Sequence, residues 1–171
     1  MKKVDMWNMR LFIPAASLAV LVASGTLFAS TEDGLKIPAD FQHGYLANSM
    51  LVTKEPNKTG LITGVHHIYV NPAGFDRLKR GGSTPYPDGT VFVDDVREFS
   101  VDDGAYQEGV RKFVTVMVKD SKKYASTGGW GFQAWAGGEP AKPIVDDSVK
   151  KCFTCHVPEK ANDYVFSTYL Q

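Results

Sequence analysis

Cysteine is scarce in this sequence, which limits what its thiols can do. The 171 residues include only Cys152 and Cys155, both in the stretch "KKCFTCHVPEK". A structural zinc site needs four ligands, and neither a second CxxC nor a histidine pair with zinc-site spacing is present to complete one. A disulfide between these two cysteines would close a very short loop and gain little chain entropy. A thioredoxin-type redox pair would begin a helix after a strand, whereas the proline-containing "EPAKPIVDDSVKK" precedes this motif.

The chain also lacks an excess of charge of either sign, internal repeats and long low-complexity tracts. Lys plus Arg and Asp plus Glu number 19 each. With no basic stripe and no acidic tail, the composition gives no indication of nucleic acid or of a strongly charged partner.

A long apolar run occurs only at the amino terminus. Lys2, Lys3 and Arg10 precede "LFIPAASLAVLVASGTLFA", after which the chain turns polar. This order is typical of a secretory signal peptide. We therefore expect residues 1–29 to be removed, leaving residues 30–171 as one periplasmic domain of about 140 residues. An uncleaved membrane anchor is the alternative, which the proline and small residues of the run disfavour.

The histidine after the second cysteine indicates covalent haem attachment, for which C-x-x-C-H is the recognised spacing. Residues i and i+3 lie on the same face of a helix, so Cys152 and Cys155 can both reach one porphyrin edge as thioethers. The imidazole of His156 is then held under the iron as an axial ligand. We predict one haem c with His156 as the metal ligand, and a disulfide or thiol module remains the alternative.

The chain before this motif has the pattern of β-strands bounded by turn signals such as "NPAG", "PDG" and "DDG". The predicted strands are "LITGVHHIYVN", "TVFVDDVREFSV", "KFVTVMV" and "GWGFQAWAG". "PAGFDRLKRGG" and "KDSKKYAS" are expected to be short helices or turns, the first with Pro72 at a helix entry and Gly81 at its end. Short connections favour antiparallel pairing. The predicted fold is α+β: a single domain with one curved antiparallel sheet, a few helices and a haem-binding helix near the carboxyl terminus.

The haem-binding helix is expected to begin at Asp146 or Asp147, which suit the N-cap and the first turn. Pro158 is expected to limit its length, and the aromatic stretch "DYVFSTYL" to pack back on the core. The usual small electron-carrier cytochromes are nearly all helix and have CxxCH near the mature amino terminus. A motif placed after a β-rich body indicates a different type of protein.

Four stretches resemble the cytochrome P-460 family, which includes the cytochrome c-prime-beta proteins. They are "HHIYVNP", "YPDGTVFVDDV", "VKDSKKYASTGGWGF" and "CFTCHVPEKANDYVFSTY". The resemblance runs from about residue 35 to the end. It implies an exported, homodimeric, single-haem protein whose sheet covers the distal side of the haem and whose proximal ligand is His156. It also implies a redox partner protein.

The same resemblance implies two functions for such a site. The P-460 enzymes oxidise hydroxylamine and have a lysine of the "DGTVxV" strand cross-linked to the haem. The c-prime-beta members have an ordinary haem c under an apolar cap and bind nitric oxide. This sequence departs from the enzymes because Asp94 stands at the position of the lysine, which puts the cross-link in doubt. The enzymes' distal arginine matches His66, and their pocket glutamate matches Thr115.

Strand alternation gives the candidate distal residues. Phe92 and Asp94 share one face of their strand, so Asp94 and not its neighbour is expected to point inward. A carboxylate against apolar side chains needs a donor or a cation, and His66 is the obvious partner. Such a carboxylate could take a proton from a ligand of the iron. A solvent-facing strand carboxylate in a local salt bridge is the alternative.

The sequence leaves three candidates for a sixth ligand of the iron: His66, His67 and Met117. His66 and the histidine after it must face opposite ways on a regular strand, so at most one can approach the iron. Met117 alternates with Phe113 and Thr115 and could offer a thioether, although methionine more often fills core space. We treat Phe92, Thr115 and Met117 as candidate cofactor-binding residues.

Three functions are therefore open. The first is a haem protein with an open distal site that binds or redox-converts hydroxylamine, nitric oxide or peroxide, as a gas binder or as an oxidoreductase. The second is an electron-transfer cytochrome with a six-coordinate haem. The third is an exported thiol or structural module without haem. The composition does not decide between an enzyme and a binding protein.

Overall fold

A computed structural model describes residues 34–54 and 62–169, and the predicted signal peptide lies outside them. Five strands form one antiparallel sheet in the order of the sequence. They are β1 (Tyr45–Val52), β2 (Gly64–Val70), β3 (Val91–Asp102), β4 (Ala105–Lys119) and β5 (Trp130–Ala136). This confirms the predicted α+β fold. No helix within the described residues is long and apolar enough to cross a membrane.

The longest strands, β3 and β4, are joined by the predicted "DDG" turn. Asp103 and Gly104 have φ values of 45° and 78°. Two successive residues with positive φ match the right-handed twist of a hairpin, which is why Asp-Gly is favoured there. Beyond the turn, two register shifts on either side of Arg97 set the pairing in which Asp94 on β3 faces Thr115 on β4.

A nine-residue α-helix, α1 (Pro72–Arg80), follows β2, with Pro72 and Gly81 at its two ends as the sequence predicts. The side chain of Asn71 caps it by accepting a hydrogen bond from the Gly74 amide at 3.2 Å. Pro72 occupies the first turn, where its missing N–H costs nothing. Gly81, with φ at 63°, ends the helix. A Cβ at Gly74 would lie 2.5 Å from a methyl group of Val70, so this glycine lets α1 approach the sheet closely.

The sheet has two buried faces with different covers. The helix face is covered by α1 and by the carboxyl-terminal segment, and the N-terminal face is covered by the chain that precedes β1. Because successive strand residues point to opposite faces, each strand contributes to both. The helix face includes Val70, Phe92, Met117, Trp130 and Phe132 under Leu78, Tyr86 and Val165. The N-terminal face includes Val93, Val114, Val116 and Trp135 under Leu35, Ile37 and Phe41.

The haem-binding helix differs in detail from the prediction. It consists of a π-helical turn (Val149–Phe153), an α-helical turn (Thr154–His156) and a 3-10 segment (Val157–Asn162), here called the C-terminal helix. Asp147 does cap its start, because its carboxylate accepts a hydrogen bond from the Lys150 amide at 3.0 Å. The α-helical part does stop before Pro158: it ends at His156, and the chain continues as a 3-10 segment whose first turn holds the proline. Strand β1 was not predicted.

A buried ion pair ties β3 to β4 on the N-terminal face. Asp95 is 1% exposed, and the Arg111 guanidinium donates to both of its oxygens at 2.6 and 2.8 Å. Burial by itself would raise the pKa of Asp95, but hydrogen bonds and charge from Arg111 and Arg97 outweigh it, so the pKa is lowered. The pair therefore stabilises the fold fully above the unfolded-state pKa of about 3.9, and this contribution is lost as the pH falls through the folded-state value.

We expect Asp95→Asn to lower the free energy of unfolding by about 3 kcal/mol at pH 7, because it removes one partner of a buried ion pair. The exposed pair of Lys142 and Glu139 provides a control. Glu139→Gln should cost less than about 1 kcal/mol. Urea unfolding of the two variants and the parent measures both effects, and equal midpoints for all three proteins would contradict this account of Asp95.

Candidate functional site

The two cysteines lie on consecutive turns of the C-terminal helix. Cys152 is partly buried against the core of the helix face, Cys155 is exposed, and both thiols are free. Burial, with a smaller effect of the neighbouring Cys155, raises the pKa of Cys152 to about 11. Thiols of redox-active CxxC pairs have lowered pKa values. The shift of the Cys152 pKa is opposite in direction, so it does not favour the thiol-exchange alternative.

The imidazole of His156 is held in one orientation by three contacts. Its ring packs between Phe132, at 5.0 Å between centroids, and Phe166, at 4.9 Å. Its Nδ1 lies 2.7 Å from the backbone oxygen of Tyr164. A carbonyl oxygen only accepts hydrogen bonds, so Nδ1 carries the hydrogen and Nε2 retains its lone pair. Burial lowers the pKa of His156, which favours this neutral form.

A neutral histidine whose Nδ1–H is bonded to a carbonyl is the arrangement found for metal-ligating histidines. Around it, the C-terminal segment leaves several apolar side chains uncovered: Val149, Val157 and Phe166 are 49%, 46% and 52% exposed. Exposed apolar side chains grouped around donor atoms favour a large apolar ligand. Two free thiols, an available Nε2 and this apolar surround fit a haem group.

On the helix face of the sheet, the structure brings the two predicted distal residues into direct contact. Nδ1 of His66 on β2 lies 2.7 Å from Oδ2 of Asp94 on β3. The other ring nitrogen of His66 donates to the backbone oxygen of Ile62 at 2.8 Å. Burial by itself would lower the pKa of His66, but the hydrogen bond and charge of Asp94 outweigh it, so the pKa is raised. The side chain is therefore favoured as an imidazolium with both nitrogens engaged.

Asp94 retains one unsatisfied atom. Its Oδ1 is buried and has no hydrogen-bond partner in the structure, although buried carboxylate oxygens are normally bonded. The register places Thr115 beside Asp94, with Ala134 next across the sheet. The neighbouring aspartate points to the opposite face and pairs with Arg111. The structure thus confirms that only one of the two adjacent aspartates lies on the helix face.

Phe92 and Met117 lie in the next row of the same face, with Phe132 beside them. Phe92 is 5% exposed, and its ring contacts those of Tyr86 and Trp130. Met117 is 8% exposed in the same cluster. Phe132 contacts His156, so the row connects the sheet to the C-terminal helix.

The second histidine of the pair on β2 is directed away from this face, as strand alternation predicts. His67 contacts Ser49 at 3.2 Å and Glu108 at 2.6 Å. Sequence reasoning missed the contacts that orient His156. The acceptor is a backbone oxygen, which has no signature in the sequence, and Phe132 lies 24 positions upstream.

The fold and the site together define a haem-binding protein in which a helical CxxCH segment lies beside one face of an antiparallel sheet. The family model described as "Cytochrome P460" matches residues 38–167, and the chain belongs to that family. The family implies haem binding, in agreement with the donor set of the C-terminal helix. No curated protein matches the chain.

The raised pKa of His66 predicts a pH-dependent contribution to stability. The ion pair with Asp94 is fully present below the unfolded-state pKa of about 6.5 and is lost as the pH rises through the folded-state value. His66→Gln should therefore cost about 1.5–3 kcal/mol at pH 6 and less at pH 9, as measured by urea unfolding. His67→Gln, which breaks a more exposed pair, should cost under about 1 kcal/mol. A His66→Gln cost that grows from pH 6 to pH 9 would contradict the assignment.

Proposed function

We propose that this protein is an exported mono-haem c-type cytochrome with an open distal site for small nitrogen or oxygen species. Cys152 and Cys155 would hold the haem as thioethers, and His156 Nε2 would bind the iron. Haem iron bound on one side by an imidazole supplies an open coordination position and a one-electron redox couple. The family resemblance further supports a periplasmic location, a homodimer and a redox partner protein.

The open-site proposal depends on one observation. The side chains that could act as a sixth ligand are already held by other contacts of the fold. Both ring nitrogens of His66 face acceptors, so neither has a lone pair for a metal. His67 lies on the other side of β2, and Met117 is packed in the core. None of these three side chains is free to approach the iron without breaking a contact of the fold.

Asp94 provides the chemistry that we assign to the distal side. Its Oδ2 is committed to His66, and its Oδ1 has no partner. The contact with His66 orients the carboxylate, so Oδ1 is the atom that would accept a proton from an incoming ligand. Because Asp94 stands where the family's enzymes have the cross-linking lysine, we propose an ordinary haem c without that cross-link.

Spectroscopy of the purified holoprotein tests the open site. We expect high-spin ferric absorption and electron paramagnetic resonance signals. Uptake of cyanide and nitric oxide should be fast, because no internal ligand has to leave the iron first. A low-spin ferric spectrum with slow uptake of both would instead establish a six-coordinate electron carrier and overturn the proposal. His156→Ala should lose the parent spectrum, which separates the proximal assignment from the distal one.

A second experiment tests proton acceptance by Asp94. Hydrogen cyanide must lose its proton to bind ferric iron as cyanide, whereas nitric oxide has no proton to lose. Asp94→Leu should therefore slow cyanide association on the order of a hundredfold near pH 7, with nitric oxide association nearly unchanged. Stopped-flow mixing measures both rates.

Asp95→Asn is the matched control, because it removes the adjacent carboxylate, which pairs with Arg111 on the opposite face, and leaves Asp94 in place. It should leave both association rates close to those of the parent. Equal slowing of cyanide and nitric oxide in Asp94→Leu would indicate a steric effect and would refute proton transfer through this carboxylate.

A further inference from the structure

The turn that follows the C-terminal helix has a backbone conformation that few residues adopt. Asp163 and Tyr164, neither of them glycine, have φ values of 53° and 66°. Residues held in this region cost on the order of 1–3 kcal/mol each and persist only when the surrounding structure determines them. Two such residues in succession therefore indicate a turn that is held in place by contacts with other parts of the fold.

A buried network around Asp163 holds this turn. Nζ of Lys119, on β4, donates to both carboxylate oxygens at 2.8 and 2.9 Å, and the Tyr86 amide donates to Oδ2 at 2.8 Å. Nε1 of Trp130 donates to the backbone oxygen of Asp163 at 2.8 Å. Asp163 and Lys119 are 9% and 5% exposed, so water does not compete effectively for these bonds.

The position of Tyr164 follows from that of Asp163. Its amide donates to the backbone oxygen of Glu159 at 2.8 Å, and its ring lies so close to Gly128 that a Cβ there would overlap it. The Tyr164 carbonyl is thereby directed at His156 Nδ1, 2.7 Å away. A continuous set of buried and partly buried contacts runs from the sheet to the histidine.

We propose that Lys119 and Asp163 are positioning residues for His156. Their ion pair fixes the turn, and the turn sets the distance and direction of the carbonyl that receives the Nδ1 hydrogen. A strong hydrogen bond at Nδ1 raises the basicity of Nε2, which strengthens its bond to a metal and favours the oxidised state. This inference rests on the proposed function of His156 as the iron ligand.

The test is Asp163→Asn in the holoprotein, which keeps the shape of the side chain and removes its charge. A loosened turn should weaken the Nδ1 hydrogen bond. The iron–histidine stretching band of the ferrous protein should then shift to lower frequency in resonance Raman spectra. The equilibrium constant for reduction should rise on the order of tenfold, which corresponds to about 59 mV for one electron. The separate variant Lys119→Arg keeps the cation. It should retain most of the parent's iron–histidine frequency and reduction potential.

Asp95→Asn is the matched control. It also removes a buried carboxylate that pairs with a cation, but this carboxylate lies on the N-terminal face. The variant should lower stability and leave the iron–histidine band and the reduction potential unchanged. If Asp163→Asn and Asp95→Asn leave the band and the potential equally unchanged, the positioning role is refuted. If Asp163→Asn yields no folded holoprotein, the same two measurements are made on Lys119→Met. An unchanged band and potential in that variant would likewise refute the positioning role. Absence of an iron–histidine band in the parent would refute the proposed function itself and not this step alone.

Discussion

The hydrogen bond from His156 Nδ1 to the Tyr164 carbonyl is the interaction on which the account of the site depends. It determines which ring nitrogen carries the hydrogen and which is available to a metal. The rings of Phe132 and Phe166 also contact the imidazole, so it has little freedom to adopt another orientation. The site therefore has its donor atom arranged by the fold, before any ligand contributes contacts of its own.

Asp94 and Asp95 have different roles because their side chains lie on opposite faces of the sheet. Asp94 and Asp95 differ by one position, yet one pairs with a histidine on the helix face and the other with an arginine on the N-terminal face. The Asp95 pair joins β3 to β4 and has a structural task. The Asp94 pair joins β2 to β3 and leaves one oxygen unbonded. An unsatisfied buried oxygen costs stability, and a cost of this kind is typical of a functional position.

Much of this fold could be predicted from the sequence, because its signals are local. Asn71, Pro72 and Gly81 mark the ends of α1, and Asp103 with Gly104 marks the hairpin. Strand β1 was missed because its residues alternate poorly: Tyr45 and Leu46 are apolar and exposed, and the strand has an irregularity at Ala47. Its place is determined by pairing with β2, which is a tertiary constraint.

The part of the site formed by Cys152, Cys155 and His156 could be predicted, because the C-x-x-C-H spacing is itself the signal. The contact between His66 and Asp94 could be proposed from the family resemblance, and the register of β2 on β3 provides it. The network from Lys119 through Asp163 to Tyr164 could not be predicted, because it joins residues 44 positions apart and ends in a backbone oxygen. Long-range buried pairs of this kind have no periodic signature.

Intact mass spectrometry of protein matured with a haem-ligation system tests the central claim most directly. The account predicts the mass of the processed chain plus one haem, with no thiol left to react with an alkylating reagent. The mass of the bare chain, with both Cys152 and Cys155 alkylated, would contradict it.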